Sequence, residues 1–209
     1  MRAIKLGESQ VLDFKYAINS AEKIAISMVA FANADGGSLL VGVKDNGSIK
    51  GANVQEDLYV LQRAITKHII PEIEYQFTQW DISGKPIIEA YIPPNQKNKP
   101  FKWVGGQNEE KAFIRINDEN IAANSLWVRV QQQLKSASPA HSKILPFEQQ
   151  LLQFIKQKGS ATANQICRHV KKPYHVVSTS LVSLICLKVI DLHITKTSNY
   201  ITLHNQPTK

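Results

Sequence analysis

The sequence predicts an α+β protein of two domains, and three observations indicate this. Short runs of residues in the first two thirds alternate in polarity, as strands do, and apolar residues recur there every three or four positions, as in helices. The charge balance also changes near residue 136: residues 1–135 hold 16 Lys/Arg and 15 Asp/Glu, whereas residues 136–209 hold nine and two. The Ser-, Ala- and Pro-containing segment 136–145 is therefore expected to link domain 1–135 to domain 146–209.

The N-terminal domain begins with a predicted strand and helix. Residues 11–16 alternate in polarity, which predicts a strand that carries Asp13 and Lys15 on its polar face. Ser20 can cap the helix that follows, and the Gly36-Gly37 pair can end it. A hairpin that turns at residues 45–47, Asp-Asn-Gly, comes next.

The rest of this domain is predicted to complete a mixed or antiparallel sheet with helices against one face. The expected elements are a helix over 54–69, strands over 73–81, 86–92 and 112–116, and a closing helix over 120–134.

The C-terminal domain shows the pattern of a winged helix-turn-helix: apolar periodicity predicts three helices, and two short β segments at 189–194 and 200–203 follow. If the third helix enters a DNA major groove, its outward face, the turn before it and the wing provide contacts. These candidate nucleic-acid-binding residues are Lys171, Lys172, His175, Ser178, Thr179 and Lys196. Such three-helix units also serve as dimerisation or protein-docking modules, so that alternative stays open.

Composition narrows the location and the partners. No apolar run is long enough to span a bilayer, and the first ten residues lack the apolar core of a signal peptide, so we expect a cytoplasmic protein without a membrane partner. Cys167 and Cys186 lie in predicted helices without a metal-binding pattern and are expected to be structural. The net charge of +8, concentrated in the C-terminal third, favours a polyanionic partner such as nucleic acid.

Three acids in the N-terminal domain are candidate metal ligands. Glu8 and Asp13 belong to the first strand region, and Asp45 follows the strand after the double glycine. If the two strands are neighbours, the carboxylates could bind Mg²⁺ or Mn²⁺ and activate water for attack on a phosphodiester. Acidic residues on strand faces and in turns are also ordinary surface features, so the spacing alone does not establish a metal site.

Two stretches resemble a known family. The segment ESQVLDFK, Glu8–Lys15, and the block AFANADGGSLLVGVKDNGSIKG, Ala30–Gly51, closely resemble the Schlafen-type AlbA domain. The resemblance extends over roughly residues 8–118 and implies an AlbA-like fold that binds nucleic acid. The family is described as DNA-binding, and in bacteria it often precedes a winged helix in transcriptional regulators.

The resemblance also bears on the acids. Schlafen relatives that cleave RNA use three acids, which fall on Glu8, Asp13 and Asp45 here. The family lysine falls on Lys15, so the resemblance makes Lys15 a further candidate nucleic-acid-binding residue. Asp13 replaces the usual Glu of the family, which shortens the carboxylate by one methylene and puts catalysis in doubt. Cleaving relatives pair two such lobes, so we expect a homodimer. The sequence thus favours a DNA-binding transcriptional regulator, with DNA preferred over RNA, and leaves a Mg²⁺- or Mn²⁺-dependent endoribonuclease as the alternative.

Overall fold

The structure, a computed structural model, describes residues 2–94, 97–136 and 144–204. The chain divides into two compact units, residues 1–123 and residues 124–209. The predicted linker, 136–145, falls mostly outside the described residues.

The first unit alternates helices and strands. Its elements are α1 (Arg2–Leu6), β1 (Leu12–Lys15), α2 (Ala21–Asn33), β2 (Gly37–Val41), α3 (Val54–His68), β3 (Ile69–Ile70), β4 (Gln76–Ile82), β5 (Lys85–Ile92), β6 (Lys102–Val104), β7 (Glu110–Lys111), β8 (Phe113–Ile116) and β9 (Glu119–Ala122).

A mixed sheet organises this unit, as the sequence predicted. Its strand order is β1-β2-β5-β4, in which β1 and β2 run parallel and the other neighbours run antiparallel. Helices α2 and α3 cover one face, and their apolar sides form the main core with β2, β5 and β6. A smaller apolar cluster lies on the other face, around Phe14 and Val43. The parallel pairing of β1 with β2 brings the ends of both strands to the same edge of the sheet.

The signals at both ends of α2 have the predicted roles. The Ser20 hydroxyl accepts a hydrogen bond from the Lys23 backbone N–H at 3.3 Å. After the helix, Gly36 adopts a positive φ of 75°. A Cβ at Gly36 would lie 2.6 Å from the backbone oxygen of Ile92 and from the nitrogen of Pro94. Glycine is therefore required here both for the turn and for the close approach of the two chain segments.

The second unit contains α4 (Ser125–Lys135), α5 (Pro146–Lys158), α6 (Ala163–Val170), α7 (Tyr174–Cys186), β10 (Ile190–Ile194) and β11 (Asn199–Leu203). Over residues 144–204 the order is helix, helix, helix and antiparallel hairpin, as the sequence predicted. Thr162 caps α6 by accepting a hydrogen bond from the Gln165 backbone N–H at 3.2 Å.

The expected closing helix of the first domain belongs to the second unit instead. Leu126 and Val130 of α4 are buried in the same core as Leu151 and Leu181, and α4 packs against α7. The boundary between the compact units along the chain therefore falls between residues 123 and 124, before the expected boundary at 135. With this boundary, residues 124–209 hold eleven Lys/Arg and two Asp/Glu, while residues 1–123 hold 14 and 15. No helix in the described ranges is long and apolar enough to cross a membrane.

Candidate nucleic-acid interface

The structure brings together two of the three predicted acids, Glu8 and Asp13. Glu8 precedes β1, and its Oε1 accepts a hydrogen bond from the Phe14 backbone N–H at 2.8 Å. Asp13 lies in β1 and accepts hydrogen bonds from Lys15 Nζ at 2.9 Å and from Ser27 Oγ at 3.2 Å. The expectation of an exposed polar face at Asp13 is wrong, because this residue is only 3% exposed.

The pKa values of the two carboxyl groups are shifted in opposite directions. Burial raises the pKa of Asp13, but the hydrogen bond from Glu8 and the positive charges of Lys15 and Arg115 outweigh it, so the pKa is lowered overall. Burial raises the pKa of Glu8, and the hydrogen bond and negative charge of Asp13 raise it further. Asp13 is therefore the stronger acid of the two and Glu8 the weaker.

Arg115 completes this cluster, and the sequence analysis missed it. Its guanidinium is buried and lies 3.7 Å from the Asp13 carboxylate. It donates hydrogen bonds to the carbonyl oxygens of Ser9 and Leu12 and to Asn120 Oδ1. The available signal was a single arginine inside the apolar strand Phe113–Ile116, which is typical of a buried charge with a partner. Arg115 thus holds the outer edge of β1 in place.

Lys15, predicted to bind nucleic acid, is committed to this same cluster. Its Nζ donates to the Asp13 carboxylate and also to the Phe14 carbonyl oxygen at 2.8 Å. The positive charge of Lys15 therefore stabilises the Asp13 carboxylate within β1.

Asp45 does not join the other acids in a metal site. It is exposed in the turn that the Gly47 N–H closes by donating to the Lys44 carbonyl oxygen at 2.7 Å. Across the described residues there is no group of three or more His, Cys, Asp or Glu side chains that could hold a metal ion. Glu8 Oε1 and both carboxylate oxygens of Asp13 already accept hydrogen bonds, from the Phe14 N–H, Lys15 Nζ and Ser27 Oγ. These three acids therefore do not fit a Mg²⁺ or Mn²⁺ centre.

The second group of candidates surrounds the start of α7. Lys171 ends α6 in the left-handed conformation, with φ of 53°, and Lys172 follows it; both side chains are exposed. Pro173 then precedes the first turn of α7, where His175 is exposed. The basic turn and the first turn of α7 form one continuous exposed surface, which we call the α7 entry surface: residues 171–176.

Further along α7, helix α4 covers part of the predicted reading face. Ser178 is 1% exposed, and Arg129 of α4 donates hydrogen bonds to the hydroxyls of Ser178 and Thr179. The prediction that Ser178 faces outward is wrong, because α4 packs over it. Thr179 stays exposed but is held by Arg129 and by the His175 carbonyl oxygen. The outward face of α7 has no arginine of its own, and Arg129 of α4 places one beside it.

The hairpin between β10 and β11 carries the last candidate, Lys196. This residue is exposed in a turn that Thr195 and Ser198 close through their backbone groups, at 3.0 Å. The predicted position of Lys196 at the tip of a hairpin is therefore correct.

Fold and site together define an α+β domain followed by a small, basic helical unit. The chain belongs to the Schlafen, AlbA_2 family, whose match covers residues 8–124 and ends one residue after the first compact unit. This family membership gives the chain a nucleic-acid-related role. No protein of curated function matches the chain significantly.

The solved structures that are similar to this chain include the following two. The crystal structure of the DIP2311 protein from Corynebacterium diphtheriae matches 71% of this chain and 30% of its own length, with 18% identity and a TM-score of 0.47. The solution structure of the N-terminal domain of a RecG-related protein from Nitrosomonas europaea matches 52% of this chain and 80% of its own length, with 24% identity and a TM-score of 0.38. The chain thus spans less than a third of the DIP2311 protein.

Proposed function

We propose that this protein is a DNA-binding transcriptional regulator whose second unit is a winged helix that makes the main contact with DNA. The observation that carries this proposal is the positive charge of residues 124–209, which hold eleven Lys/Arg and only two Asp/Glu. Both acids have partners within the unit: Glu148 accepts from the Leu145 N–H at 2.9 Å, and Asp191 contacts His204 at 3.0 Å. The unit therefore presents an almost purely cationic surface to a polyanion.

The exposure pattern of α7 supports the choice of contact surface. In helix-turn-helix proteins the N-terminal residues of the recognition helix contact base edges, while neighbouring basic groups contact phosphates. The α7 entry surface has this arrangement, with Lys171 and Lys172 beside the exposed His175. Beyond it, Val177 and Ser178 are buried, and the hydroxyl of the exposed Thr179 accepts from Arg129, so we expect direct reading of bases in the first turn of the helix. Such a short reading face favours affinity from phosphates over strict sequence specificity.

The assembly and the nucleic acid are part of the same proposal. We expect a cytoplasmic protein that forms a homodimer. The dimer is expected because RNA-cleaving relatives pair two such lobes, and the family match covers one lobe, residues 8–124. DNA is preferred because a winged helix reads the wide major groove of B-form DNA. Light scattering tests the dimer, and competition between DNA and RNA duplexes of matched sequence tests the preference.

The direct experiment is fluorescence anisotropy of a short labelled DNA duplex over a salt series. Each phosphate contact contributes about 0.9 to the slope of log K against log salt. The variant Lys171→Gln/Lys172→Gln should therefore reduce the magnitude of that negative slope by about 1.8 and weaken binding. The matched control is Lys156→Gln/Lys158→Gln, which removes two exposed lysines from α5 in the same unit.

Three results would count against the proposal. Binding by the wild-type chain that does not weaken with salt would remove the electrostatic mechanism. Equal slopes for the two double variants would show that the α7 entry surface has no special part. If the second unit instead mediates only dimerisation, the wild-type chain will be dimeric and will not bind either duplex.

A further inference from the structure

A cluster of exposed lysines surrounds a tyrosine at the edge of the main sheet. Tyr16 follows β1 and is 46% exposed. Gly42, after β2, ties this end of β1 to the hairpin: its N–H donates to the Lys15 carbonyl oxygen, and its own carbonyl oxygen accepts from the Lys50 N–H, both at 2.8 Å. The backbone pairing thus places Lys50 beside Tyr16.

The side chains of Lys50 and Tyr16 are in contact, as the backbone pairing allows. Lys50 Nζ lies 3.7 Å from the centre of the Tyr16 ring and hydrogen-bonds its hydroxyl. Lys44 Nζ approaches the same ring at 5.9 Å. Lys85, on β5, donates from its Nζ to the carbonyl oxygen of Ile49 at 3.1 Å, which puts a third cation next to Lys50 in the hairpin. We call Tyr16, Lys44, Lys50 and Lys85 the hairpin patch.

These lysines differ from several other cations of the first unit. Lys15, Lys102, Lys111 and Arg115 each reach a carboxylate. In the part of the chain that the structure describes, no ion pair joins a lysine of the hairpin patch to an acid. The acids nearest in sequence are Asp45, in the turn after Lys44, and Asp81, whose Oδ1 accepts from the Gly84 N–H at 2.9 Å. The first unit holds more acids than bases, yet these lysines form no salt bridge among the described residues. The cluster therefore does not stabilise the fold through ion pairs, which distinguishes it from the other cations named.

We propose that the hairpin patch is a second phosphate-contact surface, by which the first unit binds the backbone of nucleic acid without reading its sequence. This inference rests on the proposed function, because it assumes that the chain binds nucleic acid. Tyr16 restrains Lys50 through its ring and hydroxyl, which lowers the conformational entropy lost when the ammonium group meets a phosphate. Lys44 and Lys85 extend the positive surface on either side.

The test uses the full chain and the same salt series on a short labelled DNA duplex. The variant Lys44→Gln/Lys50→Gln should lower the slope of log K against log salt by about 1.8, as expected for two lost phosphate contacts. The variant Lys44→Arg/Lys50→Arg keeps both charges and should retain the wild-type slope. Lys23→Gln/Lys67→Gln removes two exposed lysines elsewhere in the first unit and should also leave it unchanged. Circular dichroism melting verifies that each variant is folded.

The outcomes separate this inference from the proposed function. If the hairpin variant keeps the wild-type slope while Lys171→Gln/Lys172→Gln lowers it, the hairpin patch is not a contact surface and the proposed function stands. If the glutamine and arginine variants of the hairpin weaken binding equally, the effect comes from packing, and the inference is overturned. If the wild-type chain shows no salt-dependent binding, both proposals fail.

Discussion

Replacing Asp13 with asparagine should destabilise the edge of the main sheet. The carboxylate is buried and receives Lys15 Nζ at 2.9 Å, while the buried Arg115 guanidinium lies 3.7 Å away. Asparagine keeps nearly the same shape and can still accept from Ser27, so the substitution removes the charge and little else. It leaves Arg115 buried without a counter-charge.

The size of the effect follows from these contacts. Removing one partner of a buried ion pair costs about 3–5 kcal/mol. Arg115 keeps three neutral acceptors, the carbonyl oxygens of Ser9 and Leu12 and the side chain of Asn120, so we expect the lower end, about 3 kcal/mol. Because the folded-state pKa of Asp13 is lowered, this stabilisation is present above the pKa of an unfolded aspartate, about 3.9. It is lost as pH falls through the lowered folded-state pKa.

Native-state hydrogen exchange, read by mass spectrometry on peptides that cover β1 and β2, measures the opening free energy of this edge. The control is Asp45→Asn, an exposed carboxylate in a turn, which should change the opening free energy by less than about 0.5 kcal/mol. If Asp13→Asn behaves like this control, the ion-pair cluster does not stabilise β1 and the reasoning is refuted.

Three further predictions follow from the same geometry. Glu8→Gln should stabilise the protein increasingly as pH rises through the raised pKa of Glu8, because the stability linked to that group is present below its unfolded pKa and lost above the folded one. Urea unfolding at about pH 4 and about pH 8, below and above the ordinary glutamate pKa of about 4.3, measures the difference. Wild type and Asp45→Ala should behave alike with structured RNA and Mn²⁺, and Mn²⁺-dependent cleavage lost in Asp45→Ala would contradict the geometry described for the acids. Gly36→Ala should cost about 3 kcal/mol in thermal unfolding, from positive φ plus overpacking, whereas Gly84→Ala, with the same φ of 75° and open space around it, should cost about 1 kcal/mol.

Local signals in the sequence predicted much of the fold. Ser20 and Thr162 are side-chain caps whose role depends on residues three positions away, so a single segment contains the information. The hairpin after β2 and the helix order of residues 144–204 follow from turn residues and apolar periodicity in the same way. These elements were predicted with nearly correct bounds because neighbours along the chain determine them.

The environment of the acids could not be predicted in this way. Alternating polarity places Asp13 on one side of β1 but does not distinguish a solvated carboxylate from one buried against a cation. The cation that matters, Arg115, lies far along the chain and reaches Asp13 only through the tertiary fold. The side of the sheet that is buried is set by packing, which periodicity does not record.

Helix α4 shows the same limit in the second unit. Its apolar stripe, with Leu126 and Val130, predicts a packed helix but not the unit against which it packs. Because α4 packs on α7, Arg129 covers Ser178, and the prediction that Ser178 faces outward is wrong. The other candidates on and before α7 stay predictions.

Ultraviolet cross-linking of the full chain to a DNA duplex, with the linked peptides mapped by mass spectrometry, tests whether the α7 entry surface contacts DNA. We expect cross-links in residues 171–176 that disappear as salt is raised. Cross-links confined to helix α5 or to the core-facing residues of α7, or a chain that cross-links to no duplex at low salt, would contradict this expectation.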